Sequence, residues 1–263
     1  MKINLKSLLK AVLTVSFLLL STTNSLAYNY ETHAFLTQEA INFFNSRYSE
    51  EISSNLNKYL IDGSRREDDV PRWLNHFFDP VYNRGISYDS AIDPSFAILQ
   101  ALGDQPMSKD WALSSKLQSS FLYKVASKIK PATVASMLTA EEISSISPLD
   151  KEVNFTWDRA LKLYISGEKE KAMFALGHIL HLIQDASVPD HTRNDPHPGD
   201  SPYENYALQY SLFNPDGSLK ERLGSEELVR YNHLNELFQS LAEYSNNNFY
   251  SKDTVGIQSG YSI

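Results

Sequence analysis

The side chains best equipped for chemistry in this chain are its histidines, and they are unevenly placed. Four of the seven fall between His178 and His197. His178, His181 and Asp185 are separated by three and four residues, so in a helix all three share one face. An imidazole and a carboxylate one turn apart lean the same way from a rigid rod and can bind one cation. Val188-Pro189 then ends the helix, and His191 follows directly after the turn. Taken alone, His181 and Asp185 could be an ordinary intrahelical pair. The neighbouring Leu180, Leu182 and Ile183 imply a partly buried helix, however, and buried polar groups need partners.

Two further stretches carry the same residue types. Asp190 to Pro202 reads as a polar loop holding His191, His197, Asp195 and Asp200, and it leads to Glu204 at the start of another helix. Upstream, Asp62, Glu67, Asp68 and Asp69 precede His76. The acidic run by itself reads as a solvated turn. The segment His76-Phe77-Phe78-Asp79-Pro80 does not, because it sets a polar pair inside an aromatic stretch. His178 reads as a packed or supporting histidine, His233 has no partner pattern, and Trp73, Trp111 and Trp157 read as core.

The elements that must position these groups are helical. Thr32 to Phe44 opens like a capped helix with Phe35, Leu36, Ala40, Ile41 and Phe44 on one face. Similar periodicity predicts helices over Glu51–Leu60, Lys109–Ile129, Asn154–Ile165, Glu168–Ala186 and Glu226–Tyr244. Alternating strand patterns, internal repeats and low-complexity linkers are absent. The expectation is an all-α fold, a single multi-helix bundle domain over 28–263.

Composition narrows the chemistry. There are no cysteines, which removes disulfides, a thiol nucleophile and thiolate metal sites. A formal charge of −8 argues against a broad basic surface for duplex nucleic acid. Residues 1–27 read as a secretory signal: Lys2, Lys6 and Lys10, an apolar run from Ala11 to Leu20, then Ser25-Leu26-Ala27 with cleavage before Tyr28. The apolar run is short of the ~20 residues a membrane span needs. The segment carries three of the 24 basic groups and none of the 32 acidic ones, so the exported chain would stand at −11. The expected location is secreted or periplasmic.

Four blocks in order resemble the zinc-dependent bacterial phospholipases C of the alpha-toxin type, which share a superfamily with single-strand-specific zinc nucleases. They are Thr32-His33-Ala34 with Thr37-Gln38; Gly63-Ser64 through Asp68 to His76-Phe77-Phe78-Asp79-Pro80; Leu176-Gly177 through His181, Asp185, Pro189 and His191; and Tyr203-Glu204-Asn205. The resemblance implies a helical metal cleft holding three zinc ions. One ion would take the amino nitrogen and carbonyl of Tyr28, with His33 and Asp185. A second would take Asp68, His76 and His181, with Asp185 bridging. The third would take His191, Glu204 and one more group. The family's histidine position there is Asp200 in this chain; His197 is preferred because imidazole suits zinc. Upstream, Glu67 and Asp69 are alternatives to Asp68. The family usually starts its mature chain with Trp, and this one has Tyr28.

The resemblance implies hydrolysis of a phosphodiester, releasing diacylglycerol and a phosphorylated head group, with Asp68 orienting or deprotonating the attacking water. The expected partner is a phospholipid or other phosphodiester, with transient contact at a membrane surface. Only 59 residues follow Glu204, so a toxin-type C-terminal membrane-binding domain is not expected. Two alternatives stay open: a single-strand nuclease or nucleotidase, to which the short Tyr28-to-His33 spacing is similar, and a non-catalytic helical protein stabilised by metal. One prediction follows from the amino nitrogen, whose pKa near ~8 lets it bind metal at neutral pH, whereas a peptide nitrogen is a poor ligand. Chains beginning at Tyr28 should hold more zinc, and turn over phosphodiester faster, than chains with one extra residue before it. Equal zinc content and equal rates would contradict the role of Tyr28.

Overall fold

The computed structural model describes residues 30–49, 51–69, 72–87, 103–128, 154–196, 201–213 and 229–263. Among the described residues the chain is all-α: nine helices, two short 3-10 turns and no strand beyond an isolated bridge between Asp79 and Arg84. The helices are α1 (Tyr30–Arg47), α2 (Ser54–Arg66), α3 (Ser108–Leu113), α4 (Ser115–Lys128) and α5 (Trp157–Ile165). They continue with α6 (Lys169–Asp185), α7 (Pro189–Thr192), α8 (Pro202–Phe213) and α9 (Leu234–Asn248). None of them is long and apolar enough to cross a membrane.

Helix α6 is the central element. It packs most extensively on α2, and also on α5, α1 and α3. Its Ile179 and Leu182 enter a core with Leu74, Phe77, Trp111 and Phe238, while Ala172 and Ala175 face Ala160 and Leu163 of α5. Two glycines set the α2–α6 distance. A Cβ on Gly63 would lie 2.0 Å from the Phe174 carbonyl oxygen, and one on Gly177 would lie 2.2 Å from that of Leu60. Both contacts are impossible for a side chain, so only glycine lets these two backbones touch.

Several helix ends differ from the periodic pattern, each for a local reason. Helix α2 runs through Gly63 instead of stopping before it, because that glycine serves close approach and not a turn. The expected Lys109–Ile129 helix is two helices. Ser114 is extended (φ −114°, ψ 101°) and its hydroxyl accepts from the Leu117 N–H, capping α4. Helix α5 starts at Trp157 because the Thr156 side chain caps it, accepting from the Arg159 N–H. Gly167, at φ 86°, follows its end. Helix α9 begins at Leu234, eight residues after Glu226, where the Glu236 carboxylate reaches back to the Asn232 N–H. Pro189 ends nothing directly. Helix α6 already stops at Asp185, and Pro189 occupies the first position of α7, where its missing N–H costs no bond.

The polar segment that begins around His191 is largely buried where it is described. Asp190 through Asp195 are all buried. Arg193 donates to the Asn246 carbonyl at 2.7 Å, and Asn246 donates in turn to the carbonyls of Thr192 and Tyr261, both at 2.8 Å. Asn194 takes a left-handed φ of 54° and donates to the Ile263 carbonyl at 3.3 Å. The chain from α9 onward thus clamps the turn that carries His191.

Gly177→Ala should lower unfolding stability by about 1–3 kcal/mol, the usual cost of overpacking. The check is a urea titration, and an unchanged midpoint would mean that α2 and α6 are not in contact at Gly177.

Candidate metal centre

Asp185, the last residue of α6, is fully buried, and four imidazoles from four elements surround its carboxylate. His76 Nδ1 lies 2.9 Å from Oδ2, His181 Nε2 3.1 Å and His191 Nδ1 3.8 Å, while His33 Nε2 lies 3.5 Å from Oδ1. His33 comes from α1, His76 from the segment after the Arg72–Asn75 turn, His181 from α6 and His191 from α7. Neither Asp185 oxygen takes a properly angled hydrogen bond among the described residues.

Asp68, in the turn after α2, approaches the same group from the other side. Its Oδ1 lies 3.5 Å from His181 Nε2 and 3.7 Å from His76 Nδ1. Among the described residues, two sets of donor atoms are close enough to hold an ion: His33, His181 and Asp185; and Asp68, His76 and His181. Glu204 stands in the first turn of α8, with Oε1 3.5 Å from His191 Nε2. Ser201 accepts from the Glu204 N–H and donates to Asp190, tying α8 to the turn that carries His191. Of the residues singled out in the sequence, His33, Asp68, His76, His181, Asp185, His191 and Glu204 are therefore brought together. Tyr28, His197 and Asp200 lie outside the described residues.

The other two acidic candidates point elsewhere. Asp69 pairs with Arg66 at 3.0 Å. Glu67 turns away, to Arg72, Trp111 and His178. His178 itself packs against Phe155, ring centroids 4.0 Å apart, and so belongs to the interior beside the centre. Asp79 anchors Arg84 at 3.0 Å and the backbone N–H of Val81 at 2.8 Å.

The imidazoles are oriented from behind. His181 Nδ1 donates to the Ser64 carbonyl at 2.5 Å, a contact that the glycine approach of α2 to α6 makes possible. His76 Nε2 donates to the Glu67 carbonyl at 3.1 Å, and His33 Nδ1 donates to Gln184 Oε1 at 2.6 Å. Carbonyl oxygens only accept, so each of these bonds places a proton on the outer nitrogen. In the neutral imidazole the inner nitrogen then carries the lone pair, the arrangement that suits metal ligation. Gln184 and the Ser64 carbonyl were not identifiable from sequence, because neither belongs to a ligand type nor sits in the spacing pattern.

Electrostatics fit a cation at this place. Burial would push the Asp185 carboxyl up, but His181, His191 and His76 outweigh it and hold the group well below the usual range. Burial pushes Asp68 well above its usual range; His181 opposes this, and Asp185 and Glu204 add to it. Burial works against a charged His181, yet Asp185 and Asp68 push it up to about 9. His33 and His76 are both held down, chiefly by burial. A buried group of three carboxylates therefore needs positive charge, and the His181 proton supplies part of it. The residues present fit a divalent metal of the kind that imidazole and carboxylate bind.

A metal that takes the lone pair of His181 must displace that proton. Zinc added to metal-stripped protein at pH 7 should release at least one proton, and its apparent affinity should rise about tenfold per pH unit toward pH 9. Calorimetry in buffers of different ionisation enthalpy measures this directly. Binding without proton release would place the metal elsewhere.

No protein-family model matches the chain, and no curated protein matches it. Among solved structures, the alpha toxin from Clostridium absonum is similar at a TM-score of 0.43 and 16% identity, over 81% of this chain and 50% of the toxin chain. The chain thus spans half the length of the toxin chain it matches. The likeness is distant, and the functional reading rests on the side chains around Asp185.

Proposed function

We propose that this chain is an exported zinc-dependent phosphodiester hydrolase of the phospholipase C type, holding three ions and acting on phospholipids. The observation that carries the reading is the buried Asp185 carboxylate, set among four imidazoles, three of which are oriented by bonds to oxygen acceptors. A structural zinc site needs only four ligands and closes around one ion. Asp185 and the six ligand-type side chains gathered about it exceed that need.

His33 and Asp185 would hold one ion together with Tyr28. Asp68, His76 and His181 would hold a second, with Asp185 shared between the two. His191 and Glu204 would hold the third, completed by His197 or by Asp200. Zinc held by these residues would supply positive charge that acidifies a water and offsets charge developing on phosphoryl oxygens. Asp68 would orient the attacking water and take its proton. The bond broken joins phosphorus to the diacylglycerol oxygen, leaving a phosphorylated head group. The apolar signal-like start and cleavage before Tyr28 would place the enzyme outside the cytoplasm, with access to a lipid surface.

The decisive assay compares metal-loaded protein on phosphatidylcholine vesicles and on single-stranded DNA. Release of phosphocholine supports the reading. Cleavage of DNA alone would assign the centre to a nuclease, and inactivity on both with full metal would assign it to stability. Metal counting tests the ligand scheme independently. Asp185→Asn should lose more than one zinc equivalent by elemental analysis, whereas Glu204→Gln should lose about one. Equal single losses would contradict the shared role of Asp185.

A further inference from the structure

Beside the candidate centre lies a buried carboxylate that takes no direct part in it. Glu67 is fully buried, and its side chain accepts from three donors on three elements. Oε2 accepts from Arg72 Nε at 2.7 Å and from His178 Nδ1 at 2.5 Å, and Oε1 accepts from Trp111 Nε1 at 2.7 Å. The donors are themselves fixed. The Arg72 guanidinium lies over the rings of Trp111 and Phe155, 5.1 and 5.2 Å from their centroids. His178 stacks on Phe155 and meets Phe174 edge-on. A carboxylate held this way in a low-dielectric interior has one available position, because moving it would strip several charge-assisted bonds.

The backbone of the same residue reaches the centre twice. Its carbonyl accepts from His76 Nε2, and Asp68 is the next residue in the chain. Two of the three groups assigned to one ion therefore hang on a single peptide unit that the side chain of Glu67 pins in place.

We propose that Glu67 is a positioning residue that sets Asp68 and His76 for the ion they share with His181. The proposal rests on the metal-centre reading given above. Glu67 touches neither the ion nor the substrate. Its effect should be confined to that ion, leaving the one held by His191 and Glu204 intact. Loss of a partner that orients a ligand typically weakens metal binding about 10- to 100-fold.

The experiment loads the full exported chain with cobalt(II) and measures stoichiometry, the visible absorption spectrum and affinity against a chelator. Glu67→Gln keeps the shape of the side chain and removes its charge. The expected result is weakening of one ion by about 10- to 100-fold with an altered spectrum, the other ions binding as before. Trp111→Phe keeps the ring and removes only the N–H bonded to Glu67, and it should shift the same ion in the same direction by less. This second variant decides the matter where Glu67→Gln does not fold. Asp68→Asn separates the two levels of the argument. If Asp68→Asn loses an ion while Glu67→Gln and Trp111→Phe keep wild-type spectra and affinity, the positioning role is overturned and the centre stands. If Asp68→Asn keeps every ion at full affinity, the centre as assigned falls, and the role of Glu67 with it.

Discussion

The contact between α2 and α6 governs everything assembled around Asp185. Where Gly63 and Gly177 meet, the two helices approach until backbone touches backbone, leaving no room for a side chain on either glycine. That distance lets the Ser64 carbonyl reach His181, and it delivers the turn containing Glu67 and Asp68 to the flank of α6. Helices separated by ordinary side chains run about 8–10 Å apart. Here the last-turn carbonyl of Ser64 lies close enough to accept from the His181 ring at 2.5 Å. The glycines thus fix the tautomer of an imidazole, which is a chemical outcome reached through packing.

Around this contact the protein separates two buried ionic groups that lie side by side. One is closed: Glu67 is satisfied by Arg72, Trp111 and His178, and its carboxyl is held well below the usual range as Arg72 and His178 outweigh burial. The other is open: Asp185 collects imidazoles at short distance without completing angled hydrogen bonds. A closed network rigidifies, while an open one retains an affinity for charge. Adjacent residues Glu67 and Asp68 serve the two groups in opposite directions, and the single peptide between them is where rigidity is passed to the centre.

Much of this was legible in the sequence because the informative residues are local and of distinctive type. The three-and-four spacing of His178, His181 and Asp185 marked a helix face, and the apolar periodicities marked most helices to within a few residues. His33, Asp68, His76, His191 and Glu204 were assigned together through the resemblance of four ordered blocks, and they meet in space. What was illegible depends on partners distant along the chain. Gly63 resembles a turn glycine until Phe174 is placed against it. Ser114 interrupts a continuous apolar pattern with a cap whose signal is one hydroxyl. Glu67, Asp68 and Asp69 are equivalent as text, and only their neighbours tell them apart: Arg72, Trp111 and His178 for the first, histidines for the second, Arg66 for the third. Asp190 to Asp195 read as part of a polar loop, and each of these residues is buried, several against side chains or backbone more than fifty positions away.

The clamp from Asn246, Tyr261 and Ile263 onto the turn carrying His191 has a bearing on when the centre can form. His33 lies near the beginning of the described chain, and the groups that seat His191 lie near its end. The bonds of Thr192 to Asn246 and of Asn194 to Ile263 are non-local, and contacts of that kind form slowly. A ribosome that has released only the first two hundred residues has made every described histidine of the cluster without the clasp that seats the last of them. Ion capture is thereby tied to completion of the polypeptide, so a nascent or truncated chain would lack the arrangement around Asp185 even with every described histidine of the cluster already synthesised.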